Sequence, residues 1–209
     1  MTLLCSNESI RTIVPVDFQR FTNAVKCEPI MEQVECMPYP KVNTLLAGLA
    51  AYGDRKAAVN AQVTHLNISN ICKAYDSYIK FTSENPKTVQ TTIGFHLMGN
   101  KKLCTVPSDA TAYYSRKSHY NLIIVQRWAD EQDDRMVFDW AKNVQNIFNK
   151  DCIDDKSLYI NFESTTDESH YDDVKAERFF GENLTKLRKL KMKYDPSVLF
   201  RKGVVIWPL

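Results

Sequence analysis

Between residues 67 and 86 the apolar side chains Ile68, Ile71, Cys72, Tyr75 and Ile79 recur at intervals of three and four, Thr82 continues the row and Pro86 lies beyond it. That spacing predicts an amphipathic helix with this stripe packed on a neighbour, capped by Asn67 or Ser69. Leu45, Leu46, Leu49 and Tyr52 repeat the pattern over residues 42–52, where Gly53 and Asp54 end it in a turn. A third helix is expected from the acidic stretch 130–134 through Phe148. Carboxylates at its N-terminus meet the positive end of the helix dipole, and Val137, Trp140, Ala141, Val144 and Phe148 form its buried stripe. A long helix over 174–194, with Leu184, Leu187, Leu190 and Tyr194 inward, stops at Asp195-Pro196.

Period-two and β-branched stretches lie between the helices. Residues 89–97, 102–106 and 120–128 read as three strands of one sheet. The unbroken run Leu122, Ile123, Ile124, Val125 marks the third as a central strand buried on both faces. Residues 157–162 read as a fourth strand and 10–16 as a further β-like stretch. Pro38 and Pro40 make 36–40 a loop, and 163–173 is a polar loop. Strands and helices do not alternate as regular βαβ units, so the expected class is α+β, an antiparallel sheet with helices packed mainly on one face.

A length of 209 residues suits one compact domain with a substantial core. The balance of 27 Lys and Arg against 25 Asp and Glu supplies no large field, so no nucleic-acid partner is implied. The basic run Lys186 to Lys193 reads as a solvated helix face. No apolar run approaches the roughly 20 residues of a membrane span, and no signal peptide is visible, which leaves the compartment open. The six cysteines, without a CxxC pair, argue against zinc and read mostly as buried free thiols. Asn7, Asn67 and Asn183 begin glycosylation sequons.

The chain holds none of the motifs that would carry chemistry by themselves: no GxSxG, GxxxxGK[ST], GxGxxG or HExxH. With six scattered glycines a self-contained nucleotide site is hard to build. His65, His96, His119 and His170 are far apart and read as structural or solvent-facing. Asp154-Asp155 and Asp172-Asp173 read as turn and cap residues.

Residues 179–200, FFGENLTKLRKLKMKYDPSVLF, resemble the closing segment of the berberine bridge enzyme-like oxidases, (Y/F)(F/Y/W)GxNxx(R/K)LxxxKxxYDPxxxF. Lys186 stands where most members carry Arg. Tyr159-Ile-Asn161-Phe162 is similar to the family's YxNY strand, and the stretch from Pro107 to Arg116 is similar to its ATAxxxR segment. With Tyr39, Pro40, Asn43, Gly53 and Arg55 also matching fungal members, the resemblance covers about residues 35–209. It implies an N-terminal extension over 1–34 followed by a substrate-binding and berberine-like C-terminal domain over 35–209.

By that resemblance the complete enzyme would be an FAD-linked oxidoreductase oxidising an alcohol or natural product by hydride transfer to flavin. The flavin-binding N-terminal domain is expected to be absent from this chain, which alone could offer one wall of the site. A small-molecule substrate and a flavin-domain partner chain are the implied partners. Asn161 and Tyr159 are the implied cofactor-contacting residues and Phe162 the implied substrate contact, with no metal. In several members the last tyrosine of YxNY takes the substrate proton. Phe162 cannot, so the catalytic base is left unassigned. Arg116 is expected in an ion-pair or packing role, and residues 202–208 depart from the family pattern. The alternative reading is a non-redox binding or scaffold module.

Overall fold

The computed structural model describes residues 2–5, 33–36, 38–44, 47, 52–97, 99–152, 158–163, 173–201 and 204–209. The expected strand at 10–16 lies outside them, as do most of the helix expected over 42–52 and most of the loop 163–173. Two compact units divide at Gly53/Asp54. In the first, β1 (Thr2–Cys5) pairs in parallel with β2 (Gln33–Cys36), and Tyr39–Thr44 is a 3-10 helix where a loop was expected.

The second unit is built on three strands, β3 (Arg55–Val63), β4 (Thr92–His96) and β5 (Tyr120–Trp128), in the order β3-β5-β4 and antiparallel throughout. The expected centrality of β5 is met: Leu122 and Ile124 are fully buried and Ile123 nearly so. Helix α1 (Ile68–Glu84) is capped by Asn67, whose side chain accepts from the N–H groups of Ser69 and Asn70. Helix α2 (Asp134–Ile147) buries Val137, Ala141 and Val144, with Phe148 just beyond it. Both helices lie on one face of the sheet, on Ala61, Val63, Leu122 and Ile124. The small Ala57 and Ala61 leave room for close approach, and Phe81 stacks on Trp140 at 4.2 Å to close one end. Burying each large apolar side chain is worth about 1.5–3 kcal/mol, so this layer dominates the stability. The fold is α+β, as expected.

The expected stripe of α1 is not the buried one. Ala74 and Phe81 face the core, while Ile68, Tyr75 and Ile79 are exposed. Residues 102–106 are not a strand. Lys101–Cys104 form a single helical turn closed by Cys104 N–H donating to Asn100 C=O, and among the described residues no strand pairs with it. Cys72 and Cys104 are exposed and Cys152 is half-buried with its Sγ donating to the Phe148 carbonyl, so these thiols are not sequestered in the core.

The single helix expected over 174–194 is two, α3 (Asp173–Phe180) and α4 (Asn183–Tyr194). Gly181 between them has φ +50°, which ends α3, and a Cβ there would stand 2.7 Å from the Tyr114 ring. Leu184 is buried, but Leu190 and Tyr194 are exposed, so only the start of the expected stripe is core. Beyond α4 the chain turns on Asp195, which accepts from Lys191 Nζ at 2.5 Å and from the N–H groups of Leu199 (2.7 Å) and Phe200 (3.1 Å).

The Lys191 ammonium, helped by those two N–H groups, holds the Asp195 carboxyl below the usual carboxylate range. As pH falls, the unfolded chain therefore takes up this proton before the folded one does. The stabilisation is complete above the ordinary Asp range and is lost as pH drops through the lower folded value. Thermal melts of wild type and Asp195→Asn should differ near neutral pH and converge only on acidification below that range.

Candidate functional site

The face of the sheet away from α1 and α2 is polar and also covered. In register across the strands lie Asn60, Ile123 and Gly94 in one row and Gln62, Asn121 and His96 in the next. Asn60 and Gln62 are fully buried and Asn121 nearly so. Buried amides must be bonded or they cost several kcal/mol, and their partners define what lies on this face.

Asn60 is paired with a peptide unit. Its Oδ1 accepts from the Tyr159 N–H at 2.8 Å, and its Nδ2 donates to the Tyr159 carbonyl at 3.0 Å. The same Nδ2 lies 3.3 Å from Glu163 Oε2, and Gln145 of α2 donates to the Asn60 carbonyl at 2.5 Å. A side chain on β3 thus supplies Tyr159 with the two bonds that a neighbouring strand would otherwise give. The strand expected over 157–162 is consequently a 3-10 turn, Ile160–Phe162, closed by Phe162 N–H donating to the Tyr159 carbonyl.

Gln62 holds the second piece. Its Oε1 accepts from Ser115 Oγ at 2.5 Å, and its Nε2 is 3.2 Å from His119 Nε2 and 3.5 Å from both Asn121 Oδ1 and Tyr113 Oη. His119 Nδ1 lies 2.7 Å from the Lys117 carbonyl. With the proton on Nδ1 donating there and Nε2 accepting from Gln62, the ring is fully used as structure. Burial pushes the Tyr113 phenol up, so it keeps its proton while its Oη accepts from Gln62 Nε2.

These tethers bring four rings into a line. His96 meets Phe162 edge to face at 5.4 Å, Phe162 meets Tyr159 at 5.1 Å, and Tyr159 meets Tyr113 at 6.2 Å. Asn161 is exposed, and its Nδ2 donates to Tyr159 Oη at 2.8 Å. Asn161, Tyr159 and Phe162 therefore stand together on one turn, with Phe162 and Tyr159 in the ring row. Arg116 packs its guanidinium over Tyr113 at 5.0 Å and donates to Thr111 Oγ1, the packing role expected of it. Sequence reading missed Asn60, Gln62, Asn121 and Tyr113. The first two lie on β3, whose period-two alternation of Lys56, Asn60 and Gln62 with Ala57, Val59, Ala61 and Val63 was the available signal.

The stretches that carry the sequence resemblance meet in space. Asn183 at the start of α4 donates through Nδ2 to the carbonyls of Ser108 (2.7 Å) and Thr111 (3.0 Å), while Gly181 lies against Tyr114. The closing segment thereby fixes the 107–116 loop, and that loop supplies Tyr113 and Ser115 to the polar face. Among the described residues no group of three or more His, Cys, Asp and Glu side chains is gathered as a metal site requires, and no helix is long and apolar enough to cross a membrane.

Known proteins share this likeness of sequence and fold. Residues 158–203 match the family model "Berberine and berberine like". The chain is 27% identical over 158 residues to the FAD-linked oxidoreductase iacH of Pestalotiopsis fici, covering 74% of this chain and 30% of that protein. It is 25% identical over 189 residues to the FAD-linked oxidoreductase srdI of Neurospora crassa, covering 84% and 36%. Among solved structures, aclacinomycin oxidoreductase superposes with a TM-score of 0.64 at 18% identity over 94% of this chain and 42% of its own. Berberine bridge enzyme from Eschscholzia californica gives 0.56 at 16% over 75% and 33%. At such identities these two show likeness of fold. The chain is related to the berberine bridge enzyme-like FAD-linked oxidoreductases, and it spans about a third of the length of the curated relatives it matches.

Replacing Asn60 with Ala strands the Tyr159 N–H in a covered setting and should cost about 1–3 kcal/mol. Amide hydrogen exchange at Tyr159 should accelerate together with that loss, while exchange in α2 beyond the first turn changes only with global stability.

Proposed function

We propose that this chain is the substrate-side portion of an FAD-linked oxidoreductase, working with a flavin-bearing domain or partner chain on a small-molecule alcohol or natural product. Residues 35–209 would be the substrate-binding and berberine-like part, with 1–34 an extension before it. The observation that carries the reading is the turn 158–163, which opens the family-model match and is clamped by Asn60 onto the polar face of the sheet.

The residues present fit a flat, polar-edged ring better than a whole dinucleotide. Three aromatic rings and a histidine stand edge to face in a row, Asn161 offers an exposed amide beside them, and a Cβ on Gly94 would meet nothing described within 4 Å. The six glycines are scattered through the sequence without a glycine-rich phosphate motif, so the remainder of FAD needs other protein. Bound flavin accepts hydride, and the chain's own residues orient what approaches it. Asn161 and Tyr159 supply polar contacts towards the cofactor. Phe162 packs against substrate and carries no lone pair to take a proton, which leaves the hydroxyl proton of an alcohol to a group on another element.

An absorbance spectrum of the chain purified from its native source tests the reading. Visible flavin bands travelling with the chain, together with a larger copurifying protein, are expected. A folded, colourless chain that no flavin-bearing protein accompanies would contradict it and favour the non-redox binding module.

A further inference from the structure

Asn7, Asn67 and Asn183 begin glycosylation sequons, and nothing in the flavin reading uses them. Asn7 lies outside the described residues, while the other two stand in opposite settings. Asn183 is 6% exposed, and its Nδ2 donates to the carbonyls of Ser108 at 2.7 Å and Thr111 at 3.0 Å, which occupies both amide hydrogens. A sugar bonded to that nitrogen would displace one of them and stand where the 107–116 loop packs. Asn67 is the reverse case. Its Oδ1 accepts from the N–H groups of Ser69 at 3.1 Å and Asn70 at 3.4 Å, capping α1, while its Nδ2 donates to no group among the described residues. Leu66, Ile68 and Ser69 around it are exposed. The turn behind it is anchored. The Asp151 carbonyl accepts from Thr64 N–H at 2.8 Å and from Thr64 Oγ1 at 3.1 Å, and Asp151 Oδ2 accepts from Asn70 Nδ2 at 2.7 Å.

We infer that Asn67 carries an N-linked oligosaccharide and that Asn183 does not. The donor class is an oligosaccharide held on a lipid diphosphate. Asn67 Nδ2 bonds to the anomeric carbon as the C–O bond to the diphosphate breaks. One Nδ2 proton passes to a base of the transferase, the lipid diphosphate leaves, and nothing is oxidised or reduced. Because the new bond is made at Nδ2, Oδ1 keeps both bonds of the cap, so helix and glycan do not compete for one atom. The acceptor geometry needs only residues 67–70. Ser69, whose hydroxyl completes the sequon, is exposed, and that hydroxyl makes no hydrogen bond among the described residues. Helix α1 lies on the face of the sheet opposite the ring row, so the glycan is attached away from that row. Occupancy of Asn67 is independent of the flavin reading, and it requires that the chain pass through a compartment holding such a transferase.

Peptide mapping of the chain purified from its native source provides the test. Release of N-glycans by a peptide amidase in heavy-oxygen water leaves the isotope at each asparagine position that carried one. The isotope is expected at position 67 and not at 183. Ser69→Ala, produced in the same source, removes the sequon hydroxyl but keeps the backbone N–H that caps α1, so the glycan should be lost with the chain still folded by circular dichroism. Ser69→Thr restores a hydroxyl and should keep the glycan. An unmodified Asn67 in the native chain, a glycan at Asn183, or a glycan at position 67 that survives Ser69→Ala would each overturn the inference.

Discussion

Asn60 faces a choice that fixes much of the candidate site. Its amide is buried on the polar side of a three-stranded sheet, where an unpaired donor and acceptor are costly, and the Tyr159 peptide offers one partner for each. That reciprocal pair replaces a strand ladder, so the 158–163 segment can curl into a 3-10 turn instead of extending the sheet. Curled, it presents Tyr159, Asn161 and Phe162 from three successive directions, and the rings reach His96 on β4 and Tyr113 on the neighbouring loop. Gln62, two residues along the same strand, does the equivalent for Ser115 and His119.

The other elements keep those two amides where they are. Helices α1 and α2 cover the opposite face, and their apolar layer holds β3 against β5. At one end, Asp134 accepts from Arg55 Nε and Nη2, at 2.7 and 2.6 Å, and from the indole N–H of Trp128, drawing the start of β3, the end of β5 and the start of α2 together. The closing helices act through the loop. Asn183 and Gly181 hold residues 108–114, which is why two of the segments that resemble the family in sequence belong to one structural device.

The parts of this arrangement that were legible in the sequence are those whose burial follows from local pattern. Strand β5 was read to the residue because a run of four β-branched or aliphatic side chains has few other uses, and α2 because its acidic opening and apolar stripe agree. Reading failed where tertiary partners override the pattern. The alternation of 157–162 suggested a strand, but its peptide partner is a side chain. The apolar stripe of α1 is periodic, yet the core takes Ala74 and Phe81 instead. Strand β3 passed unread because its apolar positions are mostly alanine, which carries little strand signal. Tyr159, Asn161 and Phe162 were named from resemblance alone, since nothing in their spacing announces the amide that holds them.

The central claim is that the amide-bearing face of the sheet, not the helical side, is the working surface. Hydroxyl-radical footprinting of the isolated chain and of the flavin-loaded assembly compares the two directly. The account expects Tyr159, Phe162, Tyr113 and His96 to lose reactivity on assembly while Met136 and Leu190, exposed on the helices, do not. Protection confined to the helices, with the ring row as reactive as before, would contradict it.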